Sequence, residues 1–245
     1  MALPVVTVAS GGLPIVDVTA SKPGSGLAVT EAANGRGLSV TKVASGGMAV
    51  TYVTGLSTAT LDPATAVNAT LSADNLTATH INGAALGGVK TSSGKNAGTY
   101  YFEMTLSTAS TSSGVGLMTP AATYTNLVLN GTNCAVVYQS GAIWSNNANT
   151  AQTLGALANG DIIGVAVDFT NQKVWFRKTP SGNWNGVGAN NPATNTGGVS
   201  ISAFSATTLA PAIGWSNVAG GVVTSNFGAS SFSGAVPSGF TAGWG

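Results

Sequence analysis

Few side chains in this sequence can do acid–base, nucleophilic or metal chemistry, and their spacing does not gather them. The 245 residues include one histidine, His80, one cysteine, Cys134, and seven acids. Glycoside hydrolysis needs two carboxylates at a set separation. From Ser92 onward the acids are Glu103, Asp161 and Asp168, and each has a structural explanation. Asp161 follows Gly160 at the start of an apolar run, where its carboxylate can cap a turn, and Asp168 ends that run ahead of Phe169-Thr170-Asn171-Gln172, where it can bind turn amides. Cys134 lies inside an apolar strand pattern, a setting that does not favour thiolate chemistry. His80 sits in Thr79-His80-Ile81-Asn82-Gly83, a strand running into a turn, with no carboxylate or nucleophile nearby in sequence to orient or use it. The glycine-rich stretches lack the Lys-Ser/Thr and helix start of a phosphate loop. One histidine and one cysteine cannot make a zinc cluster or an internal disulfide. No catalysis, cofactor or metal is expected, which leaves binding or structural roles.

Composition narrows those roles. Charged residues are 6% of the chain, against about a quarter in a usual soluble domain. The net charge of +1 gives no electrostatic footprint for nucleic acid or an anionic membrane. Hydrophobic residues at 44% and 34 glycines exclude a disordered chain and point to β structure with a polar, uncharged surface. The first basic residue is Lys22, so no signal peptide is expected, and no run reaches the ~18 apolar residues of a membrane helix. The protein is expected to be made in a cytoplasm. So charge-poor a surface favours assembly over a free monomer.

The elements divide into three stretches. In residues 1–54, Val8-Ala9-Ser10-Gly11-Gly12-Leu13 returns as Val43-Ala44-Ser45-Gly46-Gly47-Met48. Looser copies begin at Gly26 and Gly37, and each copy alternates apolar residues: Leu13 with Ile15, Leu27 with Val29, Leu38 with Val40, Met48 with Val50. Period two reads as short strands, and such strands need stacking neighbours or partner chains to bury a face. These eight residues are the expected assembly anchor. Residues 55–91 are a spacer whose membership, anchor or sandwich, the pattern leaves open. From 92 to 245 the strands lengthen. Tyr100, Phe102, Met104 and Leu106 make one inward face, Cys134–Tyr138 and Gly141–Trp144 flank a turn, and Ile162–Asp168 pairs with Lys173–Arg177. At least seven strands with no convincing helix describe an all-β, antiparallel sandwich.

The strand motifs resemble the SPRY family, the core of B30.2 domains. Gly94-Lys95 ahead of Gly98-Thr99-Tyr100-Tyr101-Phe102-Glu103-Met104 is similar to the family's opening strand, and Gly114–Leu117 to its second motif. Gly160-Asp161-Ile162-Ile163-Gly164, Asp168 and Lys173–Arg177 resemble its central hairpin. Leu209–Ala212 and Asn226-Phe227-Gly228 resemble its closing strands. The resemblance implies a bent, concanavalin-like sandwich that presents loops at one edge to partners, usually peptides. Here the loops Thr119–Asn126, Ser145–Thr153 and Asn183–Gly198 are nearly free of charge. Trp144 with Asn146, Trp184 with Asn185, and Trp215 are the candidate ligand contacts, because aromatic faces with amides suit sugars. Each ring could equally fill the core, with Trp184, set between asparagines, the most exposed in prospect.

Residues 3–19 and 37–54 resemble β-repeats of bacteriophage virion proteins. Together with the composition, that resemblance implies a virion structural protein, of capsid decoration or head or tail fibre type. Its N-terminal segment would dock on other virion proteins, and an outward sandwich would adhere to host surface glycan or decorate the shell, as a homo-oligomer. A receptor-binding tail fibre and a free intracellular SPRY-type peptide binder are the alternatives.

Overall fold

The alternation of Tyr100, Phe102, Met104 and Leu106 builds a ten-residue strand at the middle of the larger of two antiparallel sheets. The computed structural model describes residues 59–110, 113–204 and 206–245; the β-repeat of 1–54 and its eight anchor positions lie outside the described residues. Strands are numbered in chain order. The larger sheet runs in space as β1 (Ala69–Leu71), β2 (Thr77–His80), β13 (Val222–Asn226), β4 (Thr99–Thr108), β9 (Ile162–Asp168), β10 (Lys173–Lys178) and β11 (Val199–Ser200), with β14 (Thr241–Ala242) parallel to the start of β4. The smaller runs as β3 (Gly87–Lys90), β12 (Ala210–Trp215), β5 (Ser113–Met118), β6 (Cys134–Tyr138), β7 (Ala142–Ser145) and β8 (Ala148–Thr153).

The sheets close on one apolar core. Phe102, Met104, Leu106, Val165 and Phe176 from the larger sheet meet Val115, Leu117, Val137, Ile143 and Trp215 from the smaller. Each fully buried side chain of this size stabilises the fold by about 1.5–3 kcal/mol. Trp244 seals the core beside Tyr100 and Phe102, its indole N–H donating to the Ser93 carbonyl at 2.9 Å.

From residue 59 on, the stretch whose membership the pattern leaves open packs with the sandwich. Leu61 and Val89 are fully buried in this core, β1 and β2 edge the larger sheet, and β3 edges the smaller. The sandwich therefore begins some thirty residues before the expected start at 92, and strands of three or four residues carry too little periodicity to show it. Ser145–Thr153 is likewise mostly β8. Asn146 and Asn147, with φ of 47° and 66°, form the two-residue turn into it, the backbone a type I′ hairpin requires.

β4 is buried on both faces. Tyr101 and Glu103, on the face opposite Phe102 and Met104, lie under residues 229–240, which fold back so that Phe232 packs edge-on to Tyr101 and Phe240 edge-on to Trp175. The Glu103 carboxylate fastens this strap. It accepts the Tyr101 hydroxyl at 2.7 Å and the Gly234 and Ser233 N–H groups at 2.8 and 2.9 Å.

Candidate binding face at one end of the sandwich

A row of glycines shapes the outer face of the smaller sheet. Gly88, Gly214 and Gly114 are register partners on β3, β12 and β5. With no side chains there, the sheet carries a trough, and the segment 122–130 with its single-turn helix α1 (Asn126–Leu129) lies in it. A Cβ on Gly88 would overlap the Tyr124 ring, one on Gly114 the Leu127 carbonyl, and one on Gly214 would sit 2.8 Å from the Leu127 Cβ. Tyr124 pins the segment by donating its hydroxyl to the Thr65 carbonyl at 2.6 Å. Leu127 is buried, which turns Leu129 outward at 60% exposure.

The C-terminal end of α1 meets two turns at the end where β6 leads into β7 and β12 into β13. Val128, Leu129, Tyr138, Gln139, Ser140 and Ser216 surround a cleft of 180 Å³ there. Gln139 holds its turn in place: its N–H donates to Ser113 O at 2.9 Å, and its side-chain amide to Leu157 O at 2.8 Å. Beside the cleft, Val218 and Ile81 are 40% and 57% exposed on adjoining turns. Their backbone is set from below by His80, whose Nδ1 lies 2.8 Å from Val218 O and whose N–H and C=O pair with Gly221 and Gly220. Three of the five large apolar side chains exposed among the described residues are thus at this end, and no ionisable group except the Tyr138 phenol lines the cleft. Burial pushes that phenol above its usual range, and its oxygen is closed off from solvent. A second cleft, of 250 Å³, opens at the opposite end between Thr119, Pro120, Asn133, Phe204 and Thr207.

The sequence-predicted contacts are scattered. Trp144 is half-buried on the outer face of the smaller sheet, 5.9 Å from the Tyr138 ring, and Asn146 is exposed in the β7–β8 turn. The other three are not at the surface. Trp215 has no exposure: alternation along Ile213-Gly214-Trp215 turns it to the core, where it stacks on His80 at 5.6 Å. Trp184 retains only 8% exposure, because Tyr101 packs on its edge and the Arg177 guanidinium lies 4.3 Å over its face. Asn185 is fully buried with φ of 51°, and its Oδ1 accepts the Phe176 N–H at 2.7 Å, taking the place of a neighbouring strand beside β10.

The chemistry-bearing residues stay apart. Asp161 caps Ala158 N–H at 2.9 Å and pairs with Lys178 at 3.0 Å. Asp168 accepts the Asn171 N–H and side-chain amide at 2.9 and 2.7 Å. Burial pushes the Cys134 thiol up to about 12. Among the described residues no three His, Cys, Asp or Glu converge on a possible metal position, and no helix is long and apolar enough to cross a membrane.

The SPRY domain family matches residues 99–230. The chain belongs to the SPRY family. Its β4, β9–β10 hairpin, β12 and β13 all fall within the match. The SPRY domain of human HERC1 is 17% identical with a TM-score of 0.54, over 68% of this chain and 96% of that one. The PSpry domain of TRIM65 is 19% identical with a TM-score of 0.51, over 68% of this chain and 90% of that one. At these identities the likeness shows the fold. A comparison with curated proteins finds no match. SPRY sandwiches are generally protein-interaction modules, and this one is all-β with two antiparallel sheets, as its sequence pattern implies.

The residues that sequence reasoning missed are Leu129, Tyr138, Gln139 and Ser216. The only local signal was the Gln139-Ser140 turn. Their convergence depends on the β5–β6 and β5–β12 registers, which no single segment encodes.

Proposed function

We propose that this protein is a structural component of a bacteriophage-like virion, in which residues 1–54 dock on the particle and the SPRY sandwich projects as a non-catalytic binding module. The observation that supports this reading best is a polarity within the sandwich. The chain enters it at Ala59–Leu61, where Leu61 bridges to Thr91 and the Thr91 N–H donates to Pro211 O, close to the start of β12. The uncharged face lies at the other end, where β12 finishes at Trp215. The point of chain entry and the uncharged face thus lie at opposite ends of the sandwich. The repeated Val-Ala-Ser-Gly-Gly units supply the tether, and the charge-poor composition suits a subunit that functions assembled.

The test is the mass in solution of the full chain beside a chain starting at Ala59, which keeps every strand of the sandwich. The expected result is a full chain that assembles and a shorter one that is a folded monomer. If both are folded monomers, the docking role fails and a free binding module takes its place.

A further inference from the structure

We infer that the outer face of β4, β9 and β10 is a peptide-recognition site, filled in the monomer by the chain's own residues 229–240 and able to take the same segment from a second copy. This goes beyond the docking role proposed above and does not rest on it. The manner in which the strap is held carries the inference. Among the described residues, 229–239 exchange no backbone–backbone hydrogen bond with the sandwich. Side chains hold the segment instead, as they hold a bound peptide. Glu103 accepts the successive N–H groups of Ser233 and Gly234, and Arg177 Nη2 donates to Ala235 O at 2.7 Å. Thr99 donates its hydroxyl to Gly239 O at 2.8 Å, and Asn226 its amide to Ser230 O and Ser231 O, both at 3.1 Å.

The face also selects side chains. The Phe232 ring lies 5.0 Å from the Tyr101 ring, and Val236 packs on the same aromatic cluster. A Cβ on Gly234 would lie 2.8 Å from Arg177 Nη2, Thr179 Cγ2 and Tyr101 Oη, so the site has no room for a larger residue there. Ser233 and Ala235 point outward and are exposed. The recognised pattern is therefore an aromatic residue, a free position, glycine, a free position and an aliphatic residue. It occurs once in the 245 residues, at Phe232-Ser233-Gly234-Ala235-Val236, which makes a second copy of this chain the partner that carries it. Gly228 and Gly239, with φ of 105° and 86°, stand where the segment leaves and rejoins the sandwich. A segment supplied by a second copy makes the contacts of the original, a low-cost route to association.

The probe is a fluorescently labelled peptide of residues 229–240, read by anisotropy against full chains. Gly234→Val blocks docking of the strap and leaves every side chain on the sheet in place. That chain should bind the peptide saturably, and the parent, its site filled, about tenfold more weakly or worse. A peptide that itself carries Gly234→Val should lose about the same factor, and so should the Gly234→Val chain with Glu103→Gln added, since hydrogen bonds to a charged group are lost. Amide hydrogen exchange of the parent needs no variant: Ser233 and Gly234 should exchange through an opening that leaves Phe102 and Val165 protected. The inference is overturned if folded Gly234→Val does not bind the peptide, if the parent or the valine peptide binds equally well, or if Ser233 and Gly234 exchange only together with β4. Assembly of the full chain without peptide binding by Gly234→Val overturns this site and spares the docking role of residues 1–54. Peptide binding by a Gly234→Val chain whose parent is monomeric does the reverse.

Discussion

Removing the Glu103 carboxylate should free the C-terminal strap. Glu103 is 3% exposed, and among the described residues no lysine or arginine reaches it as an ion pair. Its burial is offset by three donors: the Tyr101 hydroxyl and the N–H groups of Ser233 and Gly234. Hydrogen bonds to a charged group are worth about 1.5–3 kcal/mol, and a buried donor left unsatisfied costs about 1–3 kcal/mol. Glu103→Ala orphans all three donors, although lifting the strap lets water reach the two amides. The net loss is therefore about 3–5 kcal/mol, below the simple sum. For a domain of this size each kcal/mol moves the midpoint by about 2–4 °C, so a fall of about 6–20 °C is expected. Tyr101→Phe, which removes one donor and leaves the two amide bonds, should cost less, about 1.5–3 kcal/mol. Thermal unfolding measures the size of the effect, and amide hydrogen exchange at Ser233 and Gly234 its place. A Glu103→Ala midpoint within about 2 °C of the parent, with those two amides still protected, would refute the reasoning.

Three further outcomes are expected. Gly114→Ala places a methyl group against the Leu127 carbonyl, so α1 must shift; a loss of about 1–3 kcal/mol in denaturant unfolding should accompany weaker protection of residues 126–129. Burial raises the Asp161 carboxyl, but the Ala158 N–H and the Lys178 ammonium outweigh it and hold the group below its ordinary value. Its contribution to stability is then present above about pH 4 and lost as pH falls through the folded value, so Asp161→Asn should lower the midpoint slightly at neutrality and flatten the acid limb of a midpoint-against-pH curve, the two proteins converging at the acid end. Cys134, buried with its thiol pushed up to about 12, should resist a thiol-reactive disulfide reagent in the native protein and react at once in denaturant.

What was legible in the sequence was whatever a single segment encodes. The β9–β10 hairpin announces itself through Gly160-Asp161, an apolar run and a polar turn, and both aspartates cap as their positions suggest. Alternation in β4 assigned Phe102, Met104 and Leu106 to the core. What stayed hidden depends on distant segments. Nothing around Tyr101 signals that residues 229–240 return to cover it, since Ser, Gly and Pro there carry no strand or helix periodicity. Trp184 went inside for the same reason. Trp215 was within reach, because Ile213 and Trp215 share a strand face and Gly214 takes the other. Asn185-Gly186 likewise carried a turn signal that its burial obeys. The trough under α1 becomes visible only when Gly88, Gly214 and Gly114 are known to be in register.

The scarcity of charge explains where recognition can occur. The five carboxylates of the described sandwich all accept backbone or neighbouring groups: Asp62 caps Ala64, Asp74 takes Ser72 and Leu76, and Glu103, Asp161 and Asp168 hold the strap and two turns. Lys95, Lys173, Arg177 and Lys178 each donate to a backbone carbonyl. In these roles the charges fix turns and the chain's C-terminal wrap, work that short strands and long loops cannot do for themselves. None of these charged side chains lines the cleft beside Ser140 and Ser216. A partner bound at that uncharged face would keep its affinity from low to high ionic strength, whereas one drawn in by charge would be released as salt rises.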